Sequence, residues 1–197
     1  MLPVFPTAYF GSIAYFRELA RFDEVIIEIH EHFPKQTLRN RCEILGAQGV
    51  IRLTLPVSKP NGTKTPTYAI ACSDQEDWKT IHLRTITTAY AAAPYFEHYI
   101  SDIRALLETP TNSLIELNLR ITQFLLSTWG INTKLKLSSE YVAQPIIDFR
   151  NTHFELNSQN ILFYTQISYN THQVFNPSLS VLDLLFCEGP MGRRIII

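Results

Sequence analysis

The sequence predicts a single domain that mixes α-helices with β-strands. Its 197 residues are 46% hydrophobic and 18% charged, a composition typical of one globular domain with a substantial core. Short β-branched segments are concentrated in the first third of the chain, whereas the middle carries apolar residues at helical spacing. The chain contains no repeat, low-complexity tract or linker. We therefore expect residues 1–197 to form one α/β domain, with a mixed sheet, a hairpin near the N-terminal third and three main helices.

The first third is predicted to hold most of the strands. Two prolines favour an extended start, and Ser12 is a suitable N-cap for the helix that follows. A β-branched strand comes next, and the glycines of 46–49 favour a hairpin turn. The expected elements are an extended segment over 2–11, a helix over 12–22, a strand over 24–29, hairpin strands over 39–45 and 50–57, and a short strand over 67–72.

The three main helices are predicted in the middle of the chain. The capping boxes Ser73-x-x-Glu76 and Ser113-x-x-Glu116 mark two of their starts, and Gly130 marks the end of the third helix. Later elements are shorter, and the pattern over 140–160 predicts none. The expected elements are helices over 75–92, 95–107 and 113–129, strands over 135–137 and 161–167, and a short helix over 180–187.

Composition narrows the function classes. A formal net charge of −1 provides no general attraction to nucleic acid, and no apolar run approaches the roughly 20 residues of a membrane span. Three cysteines without CxxC spacing, and an N-terminus without a signal-peptide pattern, predict free thiols in the cytoplasm. The Walker, GxGxxG, HExxH and GxSxG patterns are absent from the sequence, so we expect no cofactor.

The polar stretch 28–42, EIHEHFPKQTLRNRC, is the predicted working part of the chain. If Arg39 begins a strand, it shares a face with Arg41, and two adjacent guanidinium groups require an acid between them. That acid is either Glu28 or Glu31 of the preceding strand, which would make a structural salt-bridge network, or the phosphate or carboxylate of a ligand.

Two other chemistries compete for this stretch. Glu28, His30 and His32 alternate, so an extended chain would place these possible metal ligands on one face, although no fourth ligand is identified. Cys42 is a possible nucleophile if neighbouring arginines lower its pKa, although a cysteine in a strand is usually a small core residue. We therefore assign no metal.

Aromatic residues suggest further contacts. Trp78, His82 and Tyr90 fall on one stripe of the first main helix, which predicts either core packing or the wall of a pocket with His82 as a base. Tyr9 lies just ahead of a helix N-terminus, where it would serve either as part of a hydrophobic staple or as a ligand contact.

Five segments in order make the sequence resemble the WbqC-like proteins: PTAYFGSIAYF, KQTLRNRCEI, GVIRLTLPV, W-x-x-x-H with Y-x-x-x-PYF, and NPSLSVLDLLFCEGP. The similarity extends from about Leu2 to Pro190. It implies an association with bacterial surface-polysaccharide (O-antigen-type) gene clusters and transfer of a glycyl or other aminoacyl group to a sugar. The family's pattern falls on Pro6, Tyr9, Lys35, Asn40, Arg41, Pro56, Tyr90, Pro94, Phe96, Asp183 and Gly189.

Two departures from that pattern affect the prediction. Phe5-Pro6 stands where many relatives have Gln-Pro, which leaves the substrate of this chain open. Cys42 and Cys187 stand where other members commonly have different residues, which argues against thiol catalysis.

The leading hypothesis is a transferase acting on an anionic sugar or an acyl or aminoacyl donor. A non-catalytic module that binds a sugar nucleotide or a partner enzyme is the alternative, and a metal-dependent hydrolase using Glu28, His30 and His32 is a second one. The expected partner is an anionic small molecule, and the sequence also allows a homodimer. The predicted site consists of Lys35, Arg39 and Arg41 for the anion, Asn40, Tyr90 and Tyr9 for the substrate, and His82 or Glu31 for proton transfer.

Overall fold

The strands are divided among three small sheets in the computed structural model, which describes residues 2–73, 77–152, 154, 164–167, 176 and 178–197. Both helices and strands occur along these residues, which confirms the predicted mixed fold class. The strands are β1 Val4–Pro6, β2 Glu24–Glu28, β3 Arg41–Gly46, β4 Gly49–Thr54, β5 Val57–Ser58, β6 Ala71–Cys72 and β7 Lys134–Leu137.

The first sheet is parallel and has the order β1-β2-β7. Its central strand β2 presents Val25 and Ile27 to the core, as expected for a β-branched strand that is covered by other elements. The outer edge of β1 is paired as well, because Val4 N–H donates to the Ile147 carbonyl at 3.0 Å and Phe149 N–H donates to the Val4 carbonyl at 2.8 Å. The segment after β7 is thereby brought beside the start of the chain.

The predicted hairpin is present as a separate antiparallel sheet of β3 and β4, with Glu43 opposite Arg52. Gly49 has a φ of +122°, a backbone conformation that favours glycine at this turn. The first strand begins at Arg41 and not at Arg39 as predicted, because Asn40 N–H donates to the Thr37 carbonyl at 3.2 Å and closes a turn just before it.

The helices agree closely with the predicted positions. Ser12 and Ser113 are N-caps as expected, but Asp77, and not Ser73, caps α2 through the Thr80 N–H. Residues 74–76 lie outside the described residues. The helices are α1 Ile13–Ala20, α2 Trp78–Tyr90, α3 Phe96–Glu108, α4 Leu114–Thr128, α5 Val181–Glu188 and α6 Arg193–Ile196.

Two predicted strands differ from the structure. Residues Thr67–Ala69 form a 3₁₀ turn, so only Ala71–Cys72 of the predicted strand over 67–72 is extended and paired. Residues 164–167 form no strand, and 161–163 lie outside the described residues. Among the described helices, none has the length and apolarity needed to cross a bilayer.

The core is built around α5, whose residues 181–187 are all buried. Gly189 ends this helix with a φ of +52° and lies against Tyr95, whose ring would be 2.4 Å from a Cβ atom at this position. The Gly189 carbonyl also accepts a hydrogen bond from Trp129 Nε1 at 2.9 Å. Glycine is therefore required here both for backbone conformation and for packing.

Candidate functional site

A cavity of about 410 Å³ lies where four parts of the chain meet. These are the entry to α1, the segment before the hairpin, the hairpin itself and the entry to α5. We call it the Arg41 cavity. Its lining consists of residues 10–12, 36–38 and 41–43 together with Arg52, Ser178 and Ser180.

The N-terminal ends of α1 and α5 meet at this cavity and hold each other in place. Ile13 N–H donates to the Leu179 carbonyl, and Val181 N–H donates to the Gly11 carbonyl. Ser180, the N-cap of α5, also donates from its hydroxyl to the Phe10 carbonyl at 2.7 Å. Because the first N–H group of each helix donates to the segment before the other helix, these bonds fix the two helix entries relative to each other at the cavity wall.

Arg41 is the unpaired charge of the cavity. Its side chain is half-buried at the start of β3, and its Nε is buried without a hydrogen-bond partner among the described residues. Within the same part of the chain it also makes no ion pair, whereas Arg52 binds Glu43 at 2.8 Å across the hairpin. A buried donor without a partner costs about 1–3 kcal/mol, so Arg41 is suited to an external acceptor.

Backbone strain is concentrated at the same cavity. Among the described non-glycine residues, only Phe10 and Gln36 have a positive φ, at 43° and 62° respectively. Both residues line the Arg41 cavity. Bulky residues rarely adopt this conformation, and such outliers are characteristic of ligand and active sites.

Arg39 belongs to a buried polar cluster and does not share a strand face with Arg41, contrary to the prediction. It precedes β3, and its side chain is 1% exposed. Nε donates to Glu31 at 2.6 Å, Nη1 to the Thr37 hydroxyl at 3.3 Å and Nη2 to the Arg150 carbonyl at 3.1 Å. Arg39 is therefore part of a structural salt-bridge network, as one of the two alternatives predicted. The other alternative, an arginine that binds a ligand anion, applies to Arg41.

The geometry required by the metal hypothesis is absent, because β2 ends at Glu28 and the alternation does not continue to His30 and His32. The Glu28 carboxylate is fully buried and accepts from Ser138 Oγ and from the His30 N–H, each at 2.8 Å. It also accepts from the Val142 N–H at 2.9 Å. Among the described residues, no group of three or more His, Cys, Asp or Glu side chains is placed to hold a metal ion.

Glu31, a predicted proton-transfer residue, lines a different cavity with His30, His32 and Tyr141. Burial raises the pKa of its carboxyl, and the hydrogen bond from Arg39 opposes that rise. Its place in the structure is that of counter-ion to Arg39.

His82 and Tyr9 form a buried pair in the core and do not line the Arg41 cavity. Tyr9 Oη lies 2.8 Å from His82 Nδ1, and the Trp78 ring packs edge-on against the imidazole. Burial lowers the pKa of His82 to about 4, against a hydrogen bond to the Thr54 backbone that raises it. His82 is therefore a neutral core histidine at pH 7.

Tyr90 and Asn40, predicted to orient a substrate, both bond the hairpin to its surroundings. The buried Tyr90 hydroxyl accepts from the Leu45 N–H at 3.2 Å, and Asn40 Nδ2 donates to the Leu55 carbonyl at 2.9 Å. Lys35 is exposed and does not line the Arg41 cavity. Of the predicted site residues, Arg41 lines the cavity, and the others do not.

Asp183 is a buried carboxyl group close to Tyr90. Asp183, on the buried helix α5, accepts a hydrogen bond from the Tyr164 hydroxyl. Burial raises the pKa of Asp183 to about 6, and hydrogen bonds from Tyr164, Tyr90 and Gln166 oppose the rise. This carboxyl is enclosed in the core and does not line the cavity.

Cys42 does line the Arg41 cavity, but it is poorly suited to thiol chemistry. Burial raises the pKa of its thiol, and a hydrogen bond with Ser180 only partly opposes this. A reactive cysteine requires the opposite shift, toward the thiolate. Cys42 is therefore best described as a small wall residue.

Several residues of the cavity were not predicted from the sequence. Glu43 and Arg52 carry a signal, because a hairpin closed by Gly46 and Gly49 places them opposite each other. Gln36 lies in the polar stretch but has no pattern that predicts a positive φ. Ser178 and Ser180 have no local signal, because only the fold brings the start of α5 to the hairpin.

Comparison with known proteins identifies the family. The chain is 28% identical over 206 residues to the "Uncharacterized protein Rv1507c" of Mycobacterium tuberculosis (strain ATCC 25618 / H37Rv), an alignment that covers 89% of this chain and 88% of the relative. No solved structure matches the chain. The model of the WbqC-like protein family matches residues 7–147, which include most of the Arg41 cavity. The chain therefore belongs to the WbqC-like protein family.

Proposed function

We propose that this protein binds an anionic small molecule in the Arg41 cavity and acts as a transferase in bacterial surface-polysaccharide biosynthesis. The ligand would be a sugar nucleotide or an acyl or aminoacyl donor, and the group transferred to a sugar would be acyl, glycyl or another aminoacyl group. The resemblance to WbqC-like proteins supports the polysaccharide role. The single observation that supports anion binding is the half-buried, unpaired Arg41.

The charges around the cavity support this ligand class. Arg52 is neutralised by Glu43, so one positive charge, that of Arg41, is left among the described lining residues. A guanidinium group presents donors in a planar fork that matches phosphate and carboxylate oxygens. The two strained residues, Phe10 and Gln36, support the same site because such strain is retained where function requires it.

A non-catalytic binding module is the second candidate. It is favoured by the position of His82 and Glu31, the two residues predicted to move a proton, because neither lines the Arg41 cavity. Among the described residues, the carboxylate that lines the cavity is Glu43, and it is engaged by Arg52. Binding requires the arginine alone, whereas transfer requires a proton acceptor as well.

Ligand binding is tested by thermal shift of the purified protein against sugar nucleotides, acyl-CoA compounds and amino acids. A specific ligand at a hundred times its Kd stabilises the folded state by about 2.7 kcal/mol. We expect an anionic compound to raise the Tm of the wild type and of Arg17→Ala, but not of Arg41→Ala. Arg17 is a suitable control because it is a half-buried arginine that does not line the cavity. An undiminished shift in Arg41→Ala would place the anion elsewhere.

Transfer is tested separately on any compound that binds. The protein is incubated with that compound and with candidate sugar acceptors, and the products are identified by mass spectrometry. A product with the mass of the acceptor plus the transferred group supports the transferase. Tight binding without turnover across the acceptors supports the binding module instead.

A further inference from the structure

A second cavity, of about 480 Å³, adjoins the Arg41 cavity. The two share the wall formed by residues 36–38, together with Ser12 and Ser178. We call the second one the neighbouring cavity. Its remaining lining is Arg39 and Arg150 on the inner side and Asn151, Thr152 and Phe154 on the other. Each cavity falls within the usual size of a small-molecule site, about 300–1,000 Å³.

The neighbouring cavity differs from the Arg41 cavity in its charge. Arg39 is paired with Glu31, as described above. Arg150 donates from Nε and Nη2 to Asp148 at 2.9 and 2.7 Å, and from Nη1 to the Val142 carbonyl at 2.8 Å. Both arginines are therefore neutralised by acids behind the wall. A ligand that spans both cavities would keep its anionic group at Arg41 and an uncharged part here.

The lining of the neighbouring cavity also combines an aromatic ring with amide groups. Phe154 is half-buried and is held by Phe149, with ring centroids 6.1 Å apart at 18°, and by Tyr15, at 5.2 Å and 73°. The carboxamides of Asn151 and Gln36 are exposed and make no hydrogen bond to a described side chain or backbone group. A fixed ring offers an apolar face, and each carboxamide can both donate and accept.

We infer that the neighbouring cavity binds an uncharged, polyhydroxylated ring whose attached phosphate or carboxylate is held by Arg41. This inference rests on the proposed anion site and adds a second subsite to it. Asn151 and Gln36 bond the hydroxyl groups, and the C–H face of the ring packs on Phe154. Gln36 lines both cavities, so one residue can contact both parts of the ligand.

The inference is tested by calorimetric titration with three probes: inorganic phosphate, glucose 1-phosphate and phenyl phosphate. We expect wild-type protein to bind glucose 1-phosphate roughly tenfold more tightly than either of the others, because a tenfold ratio requires only about 1.4 kcal/mol, which a few additional hydrogen bonds supply. Asn151→Ala should reduce this advantage roughly three- to tenfold and leave the Kd for phosphate unchanged. Asn132→Ala, an exposed asparagine that lines neither cavity, is the matched control and should behave as wild type.

The outcomes separate the two proposals. Arg41→Ala should weaken the binding of all three probes, and phosphate binding that is absent from the wild type or unchanged in Arg41→Ala overturns the anion site and the inference with it. If phosphate binding depends on Arg41 but glucose 1-phosphate has no advantage, the anion site stands and the subsite is wrong. If phenyl phosphate has an equal advantage and Asn151→Ala has no effect, the cavity recognises apolar area and not hydroxyl groups, which also overturns the inference.

Discussion

Arg39 and Arg41 are two residues apart in the sequence but occupy opposite kinds of environment. Arg39 is enclosed in a polar cluster in which Glu31, Thr37 and the Arg150 carbonyl take its donors. Arg41 faces a cavity, and its buried Nε has no partner among the described residues. The comparison separates two uses of a positive charge: a fully bonded arginine stabilises the arrangement of the chain, and an unbonded one is available to a ligand.

The same contrast extends to the groups around each arginine. The buried pairs Glu28–Arg150 and Tyr9–His82 connect segments far apart in the sequence, and none of their four residues lines the Arg41 cavity. The cavity, by comparison, carries the strained residues Phe10 and Gln36. The unpaired arginine and the two strained residues thus occur together at the Arg41 cavity, where a ligand can reach them.

The largest predicted effect is on stability when Arg39 is replaced. Arg39→Ala should lower the free energy of unfolding by about 3–5 kcal/mol, because it leaves the mostly buried Glu31 without its partner. Arg41→Ala should change it by less than about 1 kcal/mol, because no bond to a described residue is lost. Urea denaturation of both variants measures the difference.

A double variant sharpens this test. Arg39→Met combined with Glu31→Gln should recover part of the stability lost in Arg39→Ala, because no buried charge is then left unpaired. Similar losses in Arg39→Ala and Arg41→Ala would remove the distinction between the two arginines.

A smaller effect, on the pH dependence of stability, is predicted for His82→Gln. Burial lowers the folded-state pKa from 6.5 to about 4, so between these values the unfolded chain binds a proton that the native protein does not. The wild type therefore loses stability as the pH falls from about 6.5 toward 4, by about 3 kcal/mol at most, and the variant lacks this loss. Denaturation curves at about pH 8 and pH 4.5 measure it.

His98→Gln, at an exposed position on α3, controls for the loss of a histidine as such. The His82→Gln variant also tests the catalytic role that was predicted for His82 from the sequence. Suppose that His82→Gln abolishes turnover of an identified substrate while its free energy of unfolding depends on pH as in the wild type. His82 would then act in catalysis, and its description as a core histidine would be wrong.

The smallest predicted effect is a gain in stability from Gln36→Gly. A left-handed backbone costs a side-chain-bearing residue roughly 1–2 kcal/mol, and glycine loses roughly 0.5–1 kcal/mol through its more flexible unfolded state. The variant should therefore be more stable by roughly 0.5–1 kcal/mol, while its affinity for the ligand falls. Gln48→Gly, in the hairpin turn without a positive φ, is the matched control and should not gain stability. An equal gain in both variants would show that strain at Gln36 is not the cause.

Most of the local structure follows from short-range patterns in the amino-acid sequence. Ser12 and Ser113 cap their helices as predicted, and Gly46 and Gly49 close the hairpin, because caps and turns depend on residues a few positions apart. The sequence also drew attention to the polar stretch 28–42, although Glu28, Arg39 and Asn40 of this stretch are buried in the structure. The predicted register of this stretch was wrong at Arg39, because the turn at 37–40 has no strong local signal.

Contacts made on folding determine which of these charges are bonded. The Arg39 guanidinium is bonded by Glu31 and by the carbonyl of Arg150, which lies more than a hundred residues away in the sequence. The Glu28 carboxylate is bonded by Ser138 and Val142. Arg41 has no acidic partner among the described residues, because the start of α5 places Ser180 and not an acid at the cavity. A charge is bonded or available according to its neighbours in space, and most of those neighbours, unlike Glu31, come from parts of the chain that are distant in the sequence.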